Sequence, residues 1–205
     1  MPASRPTIED PVRETILAAA DELFYRRGVQ AVGMDELRDH AGVTLKRIYA
    51  TFPSKADLVE AYLVRRDDKW RHAVEDYVTR RSEDPAEQLL LVFDALGAWI
   101  RTEPQFRGCA FHNAVGELGG TSPGTTMLAR SNKHHLRALL EKTARRAKLR
   151  RPAEVAFQLM LLAEGSLITA TIDGDPEVPK RAKAAARVIL ESASRRRVAR
   201  QPALR

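Results

Sequence analysis

Apolar residues fall at helical spacing in one segment of the chain after another, separated by short stretches rich in Gly, Pro, Ser and Asp. Ile16, Leu17, Ala20, Leu23 and Phe24 make one stripe, opened by Asp10 as N-cap with Pro11 at the first helical position and closed near Gly28. Met34 to His40 has room for about two turns, with Leu37 and Ala41 pointing inward. Gly42 supplies a tight turn, because a residue without a Cβ enters left-handed backbone space cheaply. Thr44 is suited to N-cap a second short helix anchored by Ile48 and Phe52, and Pro53 stops it. Ser54 to Asp57 has the form of a capping box, which predicts a long helix through Leu58, Tyr62, Trp70, Val74 and Tyr77 to about Arg80.

Asp84-Pro85 opens the next helix, with Leu89, Leu90, Val92, Phe93, Leu96, Trp99 and Ile100 on its buried side and Pro104 at its end. A mixed segment, Phe106 to Glu117, and a Gly-rich loop, Gly119 to Gly124, precede a helix over Thr125 to Leu149 with a basic end. Pro152 begins the most apolar helix, which reaches Ile172 before Asp173-Gly174-Asp175-Pro176 breaks it. Val178, Ala182, Ala185, Ala186, Ile189 and Ala193 give a final helix one narrow apolar face. The predicted fold is all-α, about nine helices: an N-terminal three-helix helix-turn-helix domain over 1–60, with 1–9 as a flexible arm, a larger helical domain over 61–194, and a basic tail over 195–205.

An all-round apolar helix needs more partners than one small domain offers. Val155, Leu159, Leu162, Ala163, Ser166, Ala182, Ala186 and Ile189 are therefore expected to pair the last two helices with a second copy in a four-helix bundle. The alternative is an intramolecular core helix.

Composition narrows the class. The 205 residues are 44% hydrophobic and 30% charged, enough apolar content for real cores. Net charge is +7, which favours polyanionic partners, yet the excess sits in Lys142 to Arg151 and in the tail rather than in the first domain. Acids at Asp10, Glu14, Asp21, Glu22, Asp35 and Glu36 offset the arginines there, so the helix-turn-helix pattern, not overall basicity, carries the case for DNA. The single cysteine, Cys109, excludes an intramolecular disulfide framework and fits a reducing compartment. Met1 to Asp10 lacks the apolar core of a signal peptide, and Gln158 and Glu164 interrupt the longest apolar run. A cytoplasmic protein is expected.

Three fragments occur at a joint spacing far more specific than any one of them: Ile16-Leu17-x-Ala-Ala-x-x-Leu23-Phe24-x-x-x-Gly28, then Ala41-Gly42-Val43-Thr44, then Ile48-Tyr49-x-x-Phe52-x-Ser54-Lys55-x-Asp57-Leu58. Together they resemble the DNA-binding region of TetR/AcrR-type transcriptional regulators over about the first third of the chain. Arg107-Gly108-Cys109-x-Phe111-x-Asn113-Ala114 is also similar to a fragment of some such regulators. The resemblance implies an all-helical homodimer whose larger part binds a small-molecule inducer and thereby releases an operator.

The residues expected at DNA are Gly33, Met34, Thr44, Leu45, Lys46, Arg47, Tyr49, Thr51 and Lys55. Lys46 and Arg47 can donate to guanine edges or phosphates, Tyr49 can pack on a sugar, and the threonines can anchor the backbone. Lys55 opposes the dipole in the first turn of its helix, which points to an outside anion such as phosphate. The family usually has Ser or Thr near the start of the first short helix; Val32, Gly33 and Met34 stand here. Leu45-Lys46-Arg47 also replaces a smaller pair, leaving a bulkier, more cationic groove-facing surface.

For a small-molecule pocket the candidates are Phe93, Trp99, Phe106, Phe111, Met127, Phe157 and Met160, with His112, Asn113, His134 and Glu164 as sparse polar anchors. Cys109, His112 and Asn113 would share a helical face, but no oxyanion loop accompanies them and catalysis is not expected. His134 and His135 diverge on a helix, so no metal is expected, and no cofactor motif occurs. Two competing classes are a sequence-blind polyanion binder using the tail and an enzyme using Cys109 or Glu164.

Overall fold

The computed structural model describes residues 10–103 and 105–194; the expected arm, the helix end at Pro104 and the basic tail lie outside them. Nine α-helices are found among the described residues. They are α1 (Pro11–Arg27), α2 (Met34–Ala41), α3 (Leu45–Thr51), α4 (Lys55–Thr79), α5 (Pro85–Thr102), α6 (Ala110–Leu118), α7 (Pro123–Arg146), α8 (Pro152–Asp173) and α9 (Val178–Ser194). The all-α architecture expected from periodicity is present, although α7 starts within the stretch expected to be loop. Ser122 explains that start: its hydroxyl accepts the Thr125 N–H at 3.4 Å and contacts the Thr125 hydroxyl at 2.9 Å.

Contacts divide the chain into two compact units. One comprises the residues up to Trp70 with Arg107–Asn132, the other Arg71–Phe106 with the residues from Lys133 onward. The division by contacts therefore differs from a boundary at residue 61, because α6 and the start of α7 pack with the helix-turn-helix.

In the first unit, Asp10 caps α1 through Val12 N–H at 3.1 Å, and Ile16, Ala20, Leu37, Ile48, Leu58 and Leu63 form a fully buried centre. Phe24 meets Tyr62 edge-on at 5.6 Å. Burial pushes the Tyr62 phenol well above its ordinary pKa, so it stays neutral in this core. Arg66 and Asp21 pair at 2.5 Å, largely out of solvent, with the guanidinium carbon 3.8 Å from the Tyr25 ring centre. The α1–α2 corner turns at Gly28, whose φ is +92° and where a Cβ would stand 2.7 Å from a Glu117 carboxylate oxygen. That carboxylate accepts the Gln30 N–H at 2.9 Å, tying α6 to the corner.

In the second unit α9 packs on both α8 and α5. Leu89, Leu96, Leu140, Leu159 and Ala186 are almost wholly inaccessible. The residues expected at a two-copy interface are mostly covered within the single chain. Val155, Leu159, Ala163, Ser166 and Ala186 are buried inside the single chain, and Leu162, Ala182 and Ile189 are partly covered. Small side chains at 163, 166 and 186 let α8 and α9 approach each other within one molecule. The apolar residues left exposed lie elsewhere on the same helices: Phe157, Leu161, Ile168 and Ile172 on α8, and Val188 on α9. By length and composition α8 could cross a membrane, but Glu164 within it pairs with Lys133 at 2.9 Å.

Candidate nucleic-acid interface

Local chemistry fixes α2, the turn and α3. Gly33 caps α2 without a side chain, and its carbonyl accepts the Leu37 N–H at 3.1 Å. Gly42 ends α2 in the left-handed region, at φ +64°, with its N–H on the Arg38 carbonyl. Thr44 begins α3, its hydroxyl accepting the Arg47 N–H at 3.2 Å. Ile48, with no exposed surface, and Phe52 then root α3 in the core. Arg13 lies 5.1 Å over the Phe52 ring and holds that end down.

Because Ile48 points inward, the opposite side of α3 faces solvent. Thr44, Lys46, Arg47, Tyr49 and Ala50 are exposed, with 55% of the Arg47 side chain and 43% of Tyr49 accessible. Among the described residues Asp10 pairs with Arg47 at 4.0 Å, a distance that leaves the guanidinium fork available. Gly33 is exposed too, whereas Met34 and Leu45 are half-buried against the core. The Thr51 hydroxyl donates to the Arg47 carbonyl at 2.9 Å and serves the helix itself.

Lys55 departs from expectation. Its ammonium donates to the Val32 carbonyl at 2.6 Å and sits 5.9 Å from the centre of the Phe24 ring. Burial lowers its pKa, with the Glu117 charge opposing the shift. The capping box is present, Ser54 accepting the Asp57 N–H at 3.1 Å, and the Lys55 ammonium has an inward partner within the chain.

The proposed pocket residues fall into both units. In the first, Phe111 is buried, His112 and Met127 are exposed, and the Asn113 amide donates to the Arg107 carbonyl at 2.9 Å. In the second, Phe93 is buried, Trp99, Phe106 and Met160 are half-covered, and His134 and Phe157 are exposed. Glu164, singled out as an isolated acid in an apolar helix, has Lys133 as its counter-ion. The pairing of Asn113 with Arg107 also takes the amide away from any Cys-His-Asn arrangement.

Sequence reasoning passed over Tyr25 and Glu117. The Tyr25 hydroxyl donates to the Gly108 carbonyl at 2.9 Å and accepts the Arg107 N–H at 3.0 Å. It thus holds the turn before α6, in the Arg107-Gly108 fragment that pattern alone had marked without a role. A bond spanning 83 residues leaves no trace in helical periodicity.

Two family profiles match the chain. One, described as bacterial regulatory proteins of the tetR family, covers residues 16–62, and another, a tetracyclin repressor-like C-terminal domain, covers residues 85–186. FasR, an HTH-type transcriptional activator of Mycolicibacterium smegmatis, is 35% identical over 104 residues, 51% of this chain and 47% of FasR. TtgR, an HTH-type transcriptional regulator of Pseudomonas putida, is 37% identical over 75 residues, 37% of this chain and 33% of TtgR. The chain therefore aligns with about half the length of the first relative and a third of the second. Along nearly its whole length it is similar to the crystal structure of a TetR-family transcriptional regulator from Streptomyces coelicolor, with a TM-score of 0.79 and 27% identity, covering 90% of this chain and 96% of that one. With both halves matched and the helix-turn-helix in place, the chain belongs to the TetR family of DNA-binding transcriptional regulators.

Proposed function

We propose that two copies of this chain bind a two-fold symmetric operator, each laying α3 in a major groove, and that a small molecule bound by the second unit releases them. The observation that carries the DNA reading is the division of α3: Ile48 is buried, while Lys46, Arg47 and Tyr49 stand exposed on a helix fixed by the Thr44 cap. In this reading Arg47 and Lys46 address base edges and phosphates, Tyr49 packs on the sugar-phosphate backbone, and Gly33 and Thr44 offer backbone and hydroxyl contacts. Lys55 acts indirectly, by bracing the corner at Val32.

Pairing of two copies is supported by α8, of whose most apolar stretch only 33% is buried within the chain. Phe157, Leu161, Ile168 and Ile172 recur at helical spacing, and with Val188 they form the surface proposed to meet its symmetry mate. Release by ligand rests on family resemblance and on the fact that α4 and α7 each contribute to both units. Repression relieved by an inducer is the favoured outcome, and the work is done in the cytoplasm, where the DNA is.

Selection of bound genomic fragments tests this. The expected product is one palindromic motif with half-sites separated by about one helical turn of DNA, or a multiple of it. Enrichment without any motif, unaffected by Arg47→Ala, would establish a sequence-blind polyanion binder instead.

A further inference from the structure

We propose that a cleft between α5 and α9 in the second unit binds a small organic anion: an apolar body carrying a carboxylate or phosphate group. The cleft encloses about 400 Å³, within the range of small-molecule sites. Tyr77, Phe93 and Ala184 give it apolar surface, and Phe93 is almost fully buried beneath it. Arg81 stacks 3.5 Å from the Tyr77 ring centre and holds that ring in place.

The charge around the opening is unbalanced. Four cations, Arg101, Lys180, Lys183 and Arg187, face two carboxylates, Asp94 and Glu177. Both carboxylates are already neutralised: Lys183 meets Asp94 at 2.5 Å, and Glu177 receives Arg101 at 3.3 Å and Lys180 at 4.0 Å. Arg187 has no carboxylate partner among the described residues. The opening therefore holds two positive charges in excess and one guanidinium fork free for a bidentate acceptor.

Gly97 makes room for Arg101. A glycine inside a buried helix weakens it, yet a Cβ here would come within 3.3 Å of the Arg101 guanidinium. The missing side chain lets Arg101 fold back along α5 to the lip of the cleft. On α9, Lys180, Lys183, Ala184 and Arg187 are spaced to share one face, while Val188 and Ala185 turn to another. An anion in the cleft is thus compatible with a partner covering the apolar stripe of α8. Of the aromatic and polar residues first considered for a pocket, Phe93 alone lines this cleft.

Amide NMR of the full chain, titrated with 2-naphthoate, phenyl phosphate, 2-naphthamide and inorganic phosphate, tests the proposal. Saturable shifts centred on Gly97 and Ala184 are expected with the two aromatic anions, whichever binds more tightly naming the headgroup, and none with the neutral amide or with inorganic phosphate. Arg187→Ala should weaken binding about tenfold, the scale of one lost charge-assisted contact. Gly97→Ala should weaken it by displacing Arg101, and Asp94→Asn, which frees Lys183, should strengthen it. Arg187 and Arg101 are exposed, so their variants should keep the parent's circular dichroism. The proposal is overturned if naphthamide binds equally well, if the shifts map elsewhere, or if Arg187→Ala and Asp94→Asn leave the affinity unchanged.

Discussion

Helices α3 and α8 present opposite problems to the rest of the molecule. In α3 a single residue, Ile48, is buried, the remainder is polar, half-covered or, at Ala50, small, and the helix has one favoured orientation. In α8 nearly every side is apolar, so several orientations would bury a comparable area, and the choice falls to its neighbours. A helix whose polarity is lopsided specifies its own exposed face; a helix that is apolar throughout leaves that decision to shape. The surface proposed to read DNA belongs to the first kind and the surface proposed to meet a second copy to the second.

The sharpest way to break this contrast is to place a charge on each side of α8. Ala163→Glu puts a carboxylate at a site only 2% exposed and should cost about 4 kcal/mol or more, unfolding much of the protein in a urea titration. Leu161→Glu, at a site 54% exposed, should leave the fold intact and give a monomer in sedimentation. A folded, monomeric Ala163→Glu protein would reverse the assignment of faces. Next in size, Asp21→Asn removes the carboxylate charge facing the largely buried Arg66 and should cost about 3 kcal/mol of stability, whereas loss of an exposed pair such as Arg80–Asp76 should cost under about 1 kcal/mol. On α3, Arg47→Ala should weaken operator binding by about 1 to 3 kcal/mol without moving the melting temperature. The smallest effect is expected from Lys55→Met: if the ammonium faces Val32, the salt dependence of DNA binding keeps its slope, and a slope reduced by about one phosphate contact would return Lys55 to the interface.

Legibility followed the same contrast. Caps and turns act over a few residues, so Asp10, Thr44, Ser54 and Asp84 could be read directly as the starts of α1, α3, α4 and α5, and Gly42 as the end of α2. The surface of α3 could be read for the same reason. The inward partner of Lys55 was not legible, because the Val32 carbonyl lies 23 residues back. For α8, small residues were correctly recognised as allowing close approach, but whether the approaching helix belongs to the same molecule or another is a question of topology that spacing does not carry. Tyr25, Glu117 and the pairing of Glu164 with Lys133 depend on segments brought together from far apart.

At the turn at 107–108 one phenolic oxygen both gives and takes a hydrogen bond, beside the Asn113 amide on the Arg107 carbonyl. Two neutral bonds of this kind are worth about 1 to 3 kcal/mol net, so an unfastened turn would make up roughly one to fifteen molecules in a hundred if nothing else held it. That is a detent rather than a weld: firm enough to give the segment a resting position, yet within reach of the energy that a modest effector delivers.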